Sequence, residues 1–130
     1  MTSHPNEDLL RRGSTAYAAG DMDTINELFA DDVVWHVAGR SAIAGDYTSK
    51  DQVFGFFAKL QELSDGTAQI EVHDLLANDE HGVVLAVESA TRSGRSYSGD
   101  TTHVFHLRDG KVTEFWDAHT DQYAADEFWS

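Results

Sequence analysis

His103 and Asp117 have the types and spacing that acid–base chemistry needs. They lie within the stretch HVFHLRDGKVTEFWDAH, which runs from His103 to His119. A histidine can donate to a developing oxyanion or orient an acid. Asp117 stands between Trp116 and Ala118 in an apolar strand, where a carboxylate loses water and becomes suited to moving a proton beside a carbonyl. Each residue also has a purely structural role open to it. Asp117 can be a strand-end aspartate bonded to a backbone or to Thr101, and His103 a satisfied, semi-buried side chain.

Whether the two meet depends on Asp109-Gly110, a hairpin signal between two β-rich runs. A two-residue turn sets Arg108 against Lys111, pairs Leu107 with Val112, and turns His103 and Asp117 to opposite faces. A three-residue turn with Gly110 in the left-handed region pairs Leu107 with Lys111. His103 then opposes Phe115, Thr101 opposes Asp117, and all four share a face. The second register is preferred because it avoids opposed cations; the first stays open because it pairs Leu107 with Val112.

Around these two residues a pocket is expected from Trp35, Tyr47, Phe54, Phe57, Thr101 and Phe115. Trp35 is read as core or cavity wall, with His36 on the other face of its strand, at an interface or in solvent. Tyr47 can close the cavity mouth or anchor its loop. Glu88, in VVLAVES, is a second carboxylate near the site if it faces inward and a salt-bridge partner if outward; the outward or interfacial orientation is preferred. The seven histidines invite a metal, but His103 and His106 are three apart on a strand and face opposite sides. Neither HExxH spacing, a Gly-rich phosphate loop, a GxSxG elbow nor a dinucleotide fingerprint occurs. No metal and no cofactor are expected, which leaves cofactor-free acid–base work.

The elements that must hold these residues change period along the chain. Helices are expected over 6–19, with Asn6 as cap and Gly20 as stop, and over 23–30. A strand follows at 33–37, after Asp31-Asp32 breaks the pattern. Residues 38–48 read as loop. Ser49 opens a third helix with Gln52 three residues on, a capping-box spacing, and Val53, Phe54, Phe57 and Leu60 form its core face. Strands follow at 67–77, 82–92, 95–107 and 111–120, with a bulge near His73-Asp74. Residues 121–129 read as a short helix anchored by Tyr123, Phe128 and Trp129. Helices followed by a run of antiparallel strands predict an α+β fold, one domain over 1–130, with a cavity between the helices and a curved sheet.

The composition narrows the partners. Nine basic and 23 acidic residues give a net charge of −14, which argues against nucleic acid and anionic membranes. Without cysteine there is no disulfide, thiolate ligand or cysteine nucleophile. The opening MTSHPNEDLLRRG lacks an apolar segment after a basic one and no long apolar run occurs, so a cytoplasmic location is expected.

The runs GD…LFADDVVWHVAG, AGDYTSKDQVFGFF and HVFHLRDGKVTEFWD resemble the SnoaL-like group of the NTF2-like superfamily over nearly the whole chain. The resemblance implies a cone, a curved, mostly antiparallel sheet wrapped around the N-terminal helices, usually as a dimer. It implies less about activity, because that cone hosts isomerases, cyclases, dehydratases, hydrolases and non-catalytic binders. In the polyketide cyclases of this group, the aspartate of the final-strand Trp-Asp is the general acid–base and a histidine on the preceding strand assists. Asp117 and His103 are similar to these. Aligned on the same motifs, ketosteroid isomerase would place its oxyanion tyrosine near Gly13, its base near Val37 and its oxyanion aspartic acid at His103, so the resemblance does not imply that mechanism.

Two functions follow from this reading. One is a cyclase, isomerase or dehydratase acting on a small apolar carbonyl compound. The other is a non-catalytic module that binds a small ligand or assembles. In either case the outer sheet face, with Val104, His106 and Trp116, is expected to pair two copies into a homodimer.

Overall fold

The structure is a computed structural model and describes residues 4–130. Helix α1 (Pro5–Ala19) starts one residue earlier than expected and has a different cap. His4 Nδ1, not Asn6, accepts the backbone N–H of Asn6 at 3.0 Å, and Pro5 takes the first helical position, where its missing N–H costs nothing. Asn6 is instead buried and donates to the carbonyls of Asn78 and Asp79 at 2.9 and 3.1 Å, tying the helix to a distant β-turn. Gly20, at φ +72°, ends the helix in the left-handed region.

Helix α2 (Met22–Leu28) runs directly into β1 (Phe29–Val37), which begins four residues before the expected strand. Asp31-Asp32 does not break it. The pair stays exposed where the register slips between Phe29 and Val34. The region read as loop contains a short strand, β2 (Gly45–Tyr47), paired antiparallel with β1. In α3 (Lys50–Leu63), Ser49 Oγ accepts from Gln52 N–H at 3.1 Å, and the Gln52 side chain accepts from Thr48 N–H at 2.9 Å. The buried face of α3 is Val53, Phe56 and Phe57; Phe54 and Leu60 lie at its edge.

The remaining strands are β3 (Gln69–Ala77), β4 (His81–Arg92), β5 (Arg95–Arg108) and β6 (Lys111–His119). The sheet order is β2-β1-β6-β5-β4-β3. Among the described residues only the β1–β6 pairing is parallel. The expected bulge in β3 is present, between Val72 and Asp74. Helix α4 (Gln122–Trp129) is capped by Asp121, whose side chain accepts from Ala124 N–H. Its anchors are Ala125, Phe128 and Trp129; Tyr123, expected among them, is 89% exposed.

The β5–β6 hairpin follows neither expected register throughout. Its turn is the two-residue form, with Asp109 at φ +52° and Gly110 at +74°, so Arg108 does oppose Lys111 and Leu107 pairs with Val112. This turn matches the right-handed twist of the strands. The repulsion that argued against it is relieved because Lys111 turns away to donate to the carbonyl of Glu27 at 2.7 Å. The register then shifts by one residue at Thr113, whose hydroxyl donates to the carbonyl of His106 at 3.2 Å. Beyond the bulge, Phe105 opposes Phe115 and His103 opposes Asp117 directly. The shared face expected of the three-residue turn is thus reached by a tighter turn and a bulge.

The same pattern recurs between β4 and β5. Ser93 and Gly94 both have positive φ and set Arg92 against Arg95. Both guanidinium groups donate to carbonyls at the C-terminal end of α4: Arg92 to Phe128 and Ser130, and Arg95 to Glu127 and Phe128. Cations at that end also suit the helix dipole. The helices cover the concave face of the sheet, and between them lies an aromatic core in which Trp35 and Phe115 stack at 3.8 Å and Phe57 meets Trp35 edge-on at 5.5 Å.

Candidate functional site

Period two along β5 and β6 carries His103, Phe105, Phe115 and Asp117 to the concave face. There they meet a cavity of about 140 Å³, close to the size that holds one benzene ring. Its wall is mostly apolar, with Leu10, Leu28, Trp35, Phe56, Phe57 and Phe115 among its lining. The titratable groups on it are His103, Asp117, Glu88 and Tyr17.

Of the six expected pocket residues, Trp35, Phe57 and Phe115 line this cavity. Phe54 does not. It faces an adjoining groove that shares Tyr17, Phe57 and Ile70 with the inner cavity. Tyr47 is a loop anchor, its hydroxyl donating to the carbonyl of Ile43 at 2.6 Å and its ring packed on Phe56. Thr101 shares the face but is buried beside the cavity rather than on its wall.

His103 meets Phe115 edge-on at 5.0 Å and Phe105 at 6.4 Å. Burial pushes its pKa down to about 4. The Asp117 carboxylate pulls it upward and His119 pushes it further down. The ring is therefore neutral at pH 7 and can donate one N–H and accept at its other nitrogen. The Asp117 carboxylate is held at both ends. Oδ1 accepts the backbone N–H of Ala38 at 2.8 Å, and Oδ2 lies 3.3 Å from His119 Nε2.

Two residues of the site lie outside the preferred reading. Glu88 faces inward, contrary to the outward orientation expected of it. It lines the cavity and accepts from the Trp129 indole N–H at 3.2 Å. Burial, with Asp117 nearby, raises its pKa against the opposing pull of His119 and Trp129. His119 lies between the two carboxylates, with Nε2 3.9 Å from Glu88. Burial opposes charging of His119, but its contact with Asp117 and the charges of Glu88, Asp117 and Asp126 outweigh that, and its pKa is raised. A signal for both was present in the sequence: His119 is two residues beyond Asp117, and Glu88 continues the alternation of Val84 and Ala86. It was masked because Val83, Leu85 and Val87, on the other face, are equally apolar.

The opposite face of the sheet carries His36 on β1, His106 on β5 and Trp116 on β6. His36 lies between Asp46 at 2.7 Å and Glu114 at 2.6 Å and stacks on Trp116 at 5.1 Å.

The SnoaL-like domain model matches residues 10–115. The chain belongs to the SnoaL-like family. Over their full lengths, this member is 30% identical to the uncharacterized protein Rv0034 of Mycobacterium tuberculosis. It is 32% identical to Bal32a, from a soil-derived mobile gene cassette, with 97% of each chain covered and a TM-score of 0.93. IdmH of Streptomyces antibioticus, described as a candidate polyketide cyclase, shares the fold at 22% identity and a TM-score of 0.73, over 90% of this chain and 92% of its own. The fold is the NTF2-like cone, α+β, with a mixed, mostly antiparallel curved sheet. No helix among the described residues is long and apolar enough to cross a membrane.

Proposed function

We propose that this SnoaL-like protein is a cofactor-free acid–base enzyme that takes a small apolar carbonyl compound into the cone. Asp117 moves a proton beside the carbonyl, and neutral His103 donates to the oxygen as negative charge develops there. The reaction class is cyclisation, isomerisation or dehydration. The observation that carries this reading is the direct pairing of His103 with Asp117 on the wall of an apolar cavity. Such a wall strengthens the interaction of a donor with an oxyanion, because little water competes. IdmH, described as a candidate polyketide cyclase, adds support at the level of fold.

The test is turnover of a panel of small aromatic and polyketide-like ketones by the wild type and by Asp117→Asn, each with its melting temperature. Loss of turnover at an unchanged melting temperature supports the mechanism. Retained turnover ends it.

One observation favours a second reading, a non-catalytic binding or assembly module. The Asp117 carboxylate already accepts the backbone N–H of Ala38, which is the arrangement a structural aspartate would have. Under that reading apolar ligands bind equally well to the wild type and to Asp117→Asn, and none is transformed. Under both readings we place the protein in the cytoplasm as a homodimer paired through the outer sheet face, where Val104 opposes Trp116. Light scattering at micromolar concentration gives twice the monomer mass if this holds and the monomer mass if it does not.

A further inference from the structure

Asp117 and Glu88 both line the cavity, and His119 does not. It sits behind them, with its side chain 6% exposed and a single nitrogen, Nε2, 3.3 Å from Asp117 and 3.9 Å from Glu88. We propose that His119 is a positioning residue: an imidazolium shared by the two cavity carboxylates, which orients Asp117 toward the cavity, with Glu88 fixed in turn by the C-terminal helix through Trp129.

The fold explains how three residues from two non-adjacent strands meet. β5 runs between β4 and β6, and its residue opposite Glu88 is Gly99. Without a side chain at that position, the Tyr97 hydroxyl can lie over β5 beside Glu88's pairing partner. A Cβ there would lie 2.5 Å from the Tyr97 hydroxyl. Trp129 is 1% exposed and reaches Glu88 because Arg92 and Arg95 clamp the end of α4 and because the Trp129 carbonyl accepts the N–H of Ala42. The groups facing His119 are Asp117 on its own strand, Glu88 on β4, Asp126 on α4, and Tyr97, Thr101 and His103 on β5. Three of these are carboxylates on three different elements, and they favour a charged ring.

His119 Nδ1 and Thr101 Oγ1 are both buried without a hydrogen-bond partner among the described residues. The two residues are paired across the β5–β6 ladder.

The chemical meaning of this row rests on the reading of Asp117 as the proton-moving group. An imidazolium behind the wall orients the Asp117 carboxylate toward a bound ligand and places a positive charge beside it without entering the cavity. His103, whose ring is walled by phenylalanines, cannot supply that charge.

The test is an NMR titration of the histidine ring 13Cε1 signals in the wild type, Glu88→Gln and Glu88→Asp, from pH 4 to 9. In the wild type, His119 should titrate above the ordinary 6.5 and His103 near 4. Glu88→Gln should lower the His119 midpoint by about one unit, a tenfold loss of proton affinity, and Glu88→Asp by less. A wild-type midpoint for His119 at or below 6.5 overturns the proposal, whether or not the variants fold. So does a midpoint unmoved by Glu88→Gln. This readout needs no substrate. If His119 titrates as expected while Asp117→Asn still turns over ketones, the shared imidazolium stands and the acid–base reading falls.

Discussion

The two faces of the sheet treat a histidine in opposite ways. On the inner face His103 stands directly opposite Asp117, yet its pKa falls to about 4, because its ring is closed in by Phe105 and Phe115. On the outer face His36 is also partly buried, yet its pKa rises, because Asp46 and Glu114 each hold one ring nitrogen. The presence of an acid nearby therefore does not set the charge of a histidine here. What decides is whether hydrogen-bonded carboxylates replace the water that burial removes. The inner face holds both cases, with His103 kept neutral at the cavity and His119 drawn toward charge behind it. A neutral donor and a carboxylate can thus face one ligand within a few ångströms.

The strongest way to break this comparison is to remove the proposed base. Asp117→Asn keeps the shape and the acceptor for Ala38 N–H but cannot take a proton. A positioned acid–base group contributes about 10²–10⁴-fold, and turnover of a ketone should fall by that factor in a steady-state assay. Next is the aromatic wall. Phe115 is buried and stacks on Trp35, so Phe115→Ala should cost about 3–5 kcal/mol in urea unfolding. Water admitted to the space left behind should also move the His103 midpoint upward from 4 toward 6.5, bringing it closer to the outer-face histidine.

The third test uses acid. In the unfolded chain His103 charges near 6.5, whereas in the folded protein it stays neutral until about pH 4. Between those values the unfolded state binds more protons, so the stability linked to His103 falls as pH drops, by up to roughly 3 kcal/mol. His119 has the opposite sign. Its raised pKa contributes stability that is full below 6.5 and is lost as pH rises through the folded value. Urea unfolding of the wild type and His103→Phe at pH 7 and pH 5 isolates the first effect. The variant should lose less stability on acidification than the wild type does. An equal loss in both means that His103 is not held neutral.

Much of this architecture was legible in the sequence because it rests on local rules. Ser49 and Gln52 at a capping spacing, Gly20 past the end of α1, Asp109-Gly110 between β-rich runs and the break in alternation at His73 each specify geometry within a few residues. What was not legible rests on distant partners. The turn accepted opposed cations because Lys111 reaches the carbonyl of Glu27, more than eighty residues away. The displaced cap of α1 reflects the engagement of Asn6 by the β3–β4 turn. Glu88 was misoriented because both faces of β4 are apolar, so periodicity carried no information about which face is inside. Tyr123 looked like an anchor by residue type alone, and the buried positions of α4 went to Ala125, Phe128 and Trp129. The candidate site was legible only where two of its members share one hairpin. Its other half crosses β5 and needed the folded sheet to appear.

The smallest expected effect lies on the outer face, where the comparison can be sharpened. Glu114 accepts from His36 at 2.6 Å and lies 3.7 Å from His106, so one carboxylate serves two histidines. Glu114→Gln keeps an acceptor but removes the charge. His36 then retains only Asp46, whose side chain is 68% exposed and therefore well screened. The His36 midpoint should fall back toward 6.5 while His103, on the other face of the sheet, does not move. Because the His36 pKa is raised in the folded state, its contribution to stability is full below 6.5 and disappears as pH rises through the folded value. The variant should therefore lose stability at pH 6 and little at pH 9, by no more than about 1 kcal/mol for a partly exposed pair. If the loss is the same at both pH values, packing against Trp116 rather than charge holds His36 in place, and the contrast between the two faces is one of burial alone.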